Sequence, residues 1–100
     1  MTGPLLFSAE LWMATASDAW VFVTLPPEAS ESVRDAVTTP PRGFGSVRVE
    51  VTLGDTTWRT SVFPEAASGC FVLPVKKAVR RAEGVDLGDV AEFAVRVVEA

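Results

Sequence analysis

Apolar residues recur at every second position from Leu5 through Phe7, Ala9 and Leu11 to Met13, with Ser8 and Glu10 between them. That period of two places the apolar set on one face of a strand. The polar stretch 15–18 breaks the run, and residues 19–25 (AWVFVTL) are aromatic and β-branched, so the two segments predict a hairpin that Pro26 and Pro27 end. Proline is tolerated in a first helical turn, where its missing N–H would be unpaired, and Glu28 and Glu31 suit the positive end of the dipole. A short helix is predicted over Pro27–Ala36. Residues 38–45 (TTPPRGFG) cannot continue a helix past Pro40, and two glycines around Phe44 mark a loop with unusual dihedrals or a close backbone approach.

Residues 46–53 alternate strictly, with Val47, Val49, Val51 and Leu53 inward and Arg48, Glu50 and Thr52 outward. Gly54-Asp55 interrupts, and a second strand resumes over 56–63, making this the clearest hairpin in the chain. The run 70–73 is short and wholly apolar, as in a strand buried on both faces, and Pro74 is expected to stop it. Over 75–83 (VKKAVRRAE), Val75, Ala78, Val79 and Ala82 form one helical stripe, and Gly84 suits a left-handed C-terminal residue. Gly88-Asp89 supplies a turn, and 90–98 reads as the last strand, inward through Ala91, Phe93, Val95 and Val97. About six strands and two short helices result. Closure removes exposed strand edges, so the fold class is mainly β, with a small barrel capped by the helices favoured over an open sheet.

Composition narrows the chemistry. One hundred residues with 48% hydrophobic content make a single domain, 1–100, with one core. One cysteine, Cys70, allows no intrachain disulfide and points to a reducing compartment or to indifference to redox state, with the cytoplasm as the default. No apolar run is long enough to span a membrane, and the N-terminal stretch lacks the basic region and cleavage site of a secretory signal. Nine Lys and Arg against thirteen Asp and Glu leave a net charge of −4, which opposes nucleic-acid phosphates. Histidine is absent, removing the commonest neutral-pH acid-base group and the usual Ser-His and Cys-His arrangements.

The ordered blocks F-x-A-E-L (7–11), W-x-F-V-x-L-P (20–26), G-F-G-S-V-R-V-x-V-T-L-G (43–54), W-R-T-S-V-F-P (58–64) and L-P-V-K-K-A-V-R-R-A (73–82) resemble the domain-of-unknown-function family numbered nineteen hundred and five. The resemblance spans about 7–98. It implies a barrel of the double-split type capped by helices, with relatives sometimes fused to a YdeI/OmpD-associated module, and it implies no activity. A second similarity, over LPVKKAVRRAEGVDLGD and the following strand, is to the swapped-hairpin half of AbrB-type transcription factors. Local helix, glycine and turn geometry alone also produces that pattern.

Four cations, Lys76, Lys77, Arg80 and Arg81, lie within six residues, paired at i, i+4. The plain reading is a solvated helix flank whose aliphatic stems cover the barrel end. The functional reading adds Arg42 and the backbone amides of Gly43, Phe44 and Gly45, which a glycine-containing loop can offer to a phosphate or carboxylate. Trp12, Trp20 and Trp58 either line a ligand pocket or fill and edge the core. Ser61 has no histidine to activate it. Cys70 suits a small buried hydrophobe. Asp86 and Asp89 flank a turn and suit bonds to their own backbone, so no metal site and no cofactor are expected.

The leading expectation is therefore a non-enzymatic binding module, of bacterial cytoplasmic type. It would bind an anionic small molecule or acidic protein partner at the barrel end formed by Arg42, Gly43, Phe44, Gly45, Lys76, Lys77 and Arg80. The alternative is an AbrB-like, nucleic-acid-associated regulator acting as a dimer; the binding module itself would be a monomer or homodimer.

Overall fold

A computed structural model describes residues 4–13, 20–36 and 45–98. The elements run β1 (Leu5–Glu10), β2 (Trp12–Met13), β3 (Val21–Thr24), α1 (Pro27–Ala36), β4 (Val47–Leu53), β5 (Thr56–Pro64), β6 (Phe71–Pro74), α2 (Lys77–Glu83) and β7 (Val90–Val97). All pairings are antiparallel, in the order β1-β7-β4-β5-β6-β3-β2.

The two ends of that order are consecutive in the chain. β1 pairs with β7, Leu5 opposite Val95, whereas β2 pairs with β3, Trp12 opposite Phe22. Leu11 stands between them, its N–H bonded to Asp89 O and its O accepting from Gly88 N–H, both at 3.0 Å. One bent N-terminal strand thus joins both sheet edges and nearly closes the ring, which is why six expected strands are seven segments. The bend also corrects the reading of Met13. Strict alternation placed it inward, but past Leu11 the strand turns and leaves Met13 46% exposed.

The other elements follow their patterns closely. In β4, Val47, Val49, Val51 and Leu53 are buried, and in β7 Phe93 and Val95 are fully so. Gly54, at φ +58°, turns β4 into β5 through the left-handed conformation such two-residue hairpins need. α1 covers β1 with Ala29 and Val33, α2 packs against β5, and Val79 is its buried residue. Gly84 takes the left-handed C-cap with its N–H on Arg81 O. Pro74, expected to stop β6, is its last residue and pairs with Phe22. Cys70 is half-buried just before β6.

One buried polar side chain belongs to the frame. The Ser30 hydroxyl, 1% exposed, accepts from Phe71 N–H at 3.0 Å and donates to Leu25 O at 3.3 Å. Leu25 N–H donates to Phe71 O, so the hydroxyl stands inside the ladder bond that would return from Phe71 to Leu25. Ser30→Ala leaves both groups unpaired in the core and is expected to cost about 1–3 kcal/mol of stability. Urea unfolding measures the loss, and faster exchange of the Phe71 amide locates it.

Candidate functional site

A surface concavity lies where β5 parts from β6. Along β6, Phe71 O accepts from Leu25 N–H, and just past the strand Val75 N–H donates to Val21 O, so the backbone groups of Phe71, Leu73 and Val75 face β3. By alternation those of Val72 and Pro74 face β5. Val72 pairs there with Phe63, and continuing the register would set Pro74 opposite Ser61. Pro74 has no N–H to donate, and the ladder ends before it. Beyond that point β5 follows β4 alone, as far as Thr56 opposite Leu53.

A groove of about 470 Å3 opens in the split. Trp58 and Thr60, from the inward-facing set of β5, border it together with Ser61 and Phe63 from the outward-facing set. A single groove touches both sets only if it runs along the strand's edge. Trp20 supplies the opposite wall; it is 55% exposed and stacked on Phe22 with ring centroids 5.9 Å apart. Arg48, from β4, and Lys76 and Lys77, where β6 leads into α2, add three cations. Among the described residues no carboxylate lines the groove.

The expected site residues distribute unevenly over this geometry. Lys76 and Lys77 are exposed, line the groove and make no ion pair among the described residues. Arg80 is turned to internal work: its side chain is 14% exposed, Nε donates to Val75 O at 3.1 Å, and a terminal nitrogen lies 3.7 Å from Asp86 Oδ1. It lines a separate, smaller depression with Arg81, Gly84 and Asp86. Gly45, at φ +85°, stands just before β4, at the end that carries Arg48. Arg42, Gly43 and Phe44 lie outside the described residues.

Sequence reasoning missed Arg48 and Phe63. Both read as outward strand positions, and the signal that could have found them is Pro74, an N–H-less residue in an otherwise buried strand. Of the tryptophans, Trp20 and Trp58 line the groove, whereas Trp12 is anchored by an Nε1–H bond to Thr24 Oγ1 at 2.9 Å and packs on Phe22.

The surrounding charges are largely committed. On the outer sheet face Glu50 lies 2.6 Å from Arg96 and 3.7 Å from Arg59. The Arg96 hydrogen bond, aided by the charges of both arginines, holds the Glu50 carboxyl below the usual carboxylate range. Asp86 and Asp89 bond their own turn, accepting from Leu87 N–H and Asp86 N–H. Among the described residues no cluster of potential ligands could hold a metal ion, and no helix is long and apolar enough to cross a membrane. The stretch resembling the AbrB half, α2 through the Gly88-Asp89 turn to β7, lies within this barrel, with β7 paired on both sides by β1 and β4.

No curated protein matches the chain. A family model matches residues 7–95, nearly the whole barrel, from the strand that closes it to the last strand of its core. The chain therefore belongs to the family described as Domain of unknown function (DUF1905).

Proposed function

We propose that this domain is a binding module that seats an amphipathic anion in the groove between β5 and the start of α2. The observation that carries the reading is the pairing of an aromatic wall, Trp20 and Trp58, with three cations, Arg48, Lys76 and Lys77, in a protein of net charge −4. Local charge reversal of this kind concentrates anions against the field of the whole chain. Apolar concavities of roughly 300–1,000 Å3 with a few placed charges are the usual form of small-ligand sites. The apolar part of the ligand lies on the indole faces and its acidic group meets the lysines. A single cysteine suits a reducing compartment, and we place the protein in the cytoplasm on that ground.

Titration with 1-anilinonaphthalene-8-sulfonate, followed by probe emission and tryptophan quenching, tests the site. Saturable binding that weakens with salt is expected. Reversing both exposed lysines, Lys76→Glu with Lys77→Glu, weakens it about tenfold, the sum of two modest surface charge effects acting in the same direction. Equal affinity in the double variant, with the fold unchanged by circular dichroism, sinks the proposal.

A further inference from the structure

The rings beside the groove form a connected row. Alternation through β3 puts Trp20, Phe22 and Thr24 on the same side of the strand, and Trp12 stands opposite Phe22 on β2. Trp12 lies on Phe22 with ring centroids 5.2 Å apart, and Phe22 lies on Trp20 at 5.9 Å with planes 18° from parallel. The bond from Trp12 Nε1–H to Thr24 Oγ1 fixes the far end of the row. Trp20 is therefore held in place by stacking although it is 55% exposed, and it borders the groove. On β6, Pro74 pairs with Phe22 from the other side and carries the row into the groove lining.

The apolar surface the groove offers a ligand is almost wholly ring surface. Its two aliphatic hydrophobic residues, Val21 and Val75, are 3% and 1% exposed and contribute little. Phe63 is 38% exposed, and Trp58 and Pro74 are half-buried. Ring faces and edges carry opposite partial charge, so a flat aromatic guest gains stacked and edge contacts beyond the area it buries. An acyl chain or a saturated ring gains the area alone. We infer that the anion seated here is a planar aromatic acid of one or two fused rings, its ring laid against Trp20 and its acidic group held by Lys76 and Lys77. The inference rests on the groove being the binding site and adds to it the chemical class of the ligand. A volume of about 470 Å3, in the lower part of the range for small-ligand sites, suits a compact ring system better than a long chain. Lys76 and Lys77 are exposed and make no ion pair among the described residues, so both charges are available to the acidic group.

The test uses the whole chain and two acids, 2-naphthoate and decahydro-2-naphthoate, which share a carbon skeleton and a charge while only the first is flat and aromatic. In calorimetric titration 2-naphthoate is expected to bind about three- to tenfold more tightly, the worth of an aromatic pair beyond its area. A groove that recognises apolar area alone gives equal affinities or favours the saturated acid. Trp20→Leu keeps apolar bulk and removes the indole face; it is expected to erase the preference and leave the dependence on Lys76 and Lys77 intact, while Trp20→Phe retains part of it. Protons of bound 2-naphthoate shift upfield with the unaltered chain and less with Trp20→Leu. If 1-anilinonaphthalene-8-sulfonate binds with lysine dependence but 2-naphthoate binds no more tightly than its saturated counterpart, the aromatic class is overturned and the binding-module reading stands. If neither acid nor the sulfonate binds, both fall. A preference that survives Trp20→Leu unchanged also overturns the inference, since the ring then does not lie on Trp20. The comparison of the two acids on the unaltered chain decides the class even where a variant fails to fold.

Discussion

Phe93→Ala is expected to lower the free energy of unfolding by about 3–5 kcal/mol, the usual cost of truncating a buried phenylalanine. Phe93 has no exposed surface and lies mid-strand in β7, between β1 and β4. Its ring stacks on Phe7 with centroids 5.7 Å apart and planes 23° from parallel. The loss therefore combines the transfer term, a cavity and an aromatic pair worth about 0.5–1.5 kcal/mol beyond its area. Few neighbours can move in, since Val49, Val51 and Val95 are themselves fully buried and held in ladders. A domain of this size typically has only about 5–15 kcal/mol in total. Urea unfolding should show a lower midpoint at unchanged slope. A loss under about 1 kcal/mol would mean that Phe93 is not at the centre of the core.

What made this core legible is local. The alternation through Val47, Val49, Val51 and Leu53, the Gly54-Asp55 turn and the proline start of α1 each act within a few residues, and each appears where the pattern places it. Closure is of another kind. Nothing in the period-two run from Leu5 to Met13 marks Leu11 as the residue where the strand leaves β7 for β3, because β7, the partner of its first part, lies at the far end of the chain. A periodic pattern reports which face is apolar, and it is silent about which strand sits alongside.

The same distinction governs the groove. Lys76 and Lys77 were visible as a cationic cluster because they are adjacent in sequence. Arg48 joins them only through the parting of β5 from β6, a consequence of Pro74 standing where a ladder donor is needed. Arg80 has the same charge and belongs to the same helix, yet it turns to Val75 O and Asp86. One helical turn separates it from Lys76, and the buried carbonyl at the helix start, invisible to any charge count, takes its guanidinium. Sequence charge thus points to the region, and backbone hydrogen-bond accounting explains the groove.

Leu11→Ala tests the closure itself and is expected to cost about 2–5 kcal/mol. The side chain is 1% exposed at the bend, where it fills the space between the sheet edge that ends in β1 and the edge that ends in β2. Its backbone bonds to Asp89 O and Gly88 N–H survive the substitution, so the loss reports packing at the junction rather than a missing hydrogen bond. The effect should be uneven. Amides of β2 and β3, held on one side by the two-residue β2, should exchange faster than those of β4 and β5, whose seven paired positions do not depend on the bend. A uniform loss across all strands would show one indivisible cooperative unit, with the bend merely part of its core. A loss under about 1 kcal/mol would mean that the ring is held by its ladders alone and that Leu11 does not lock it.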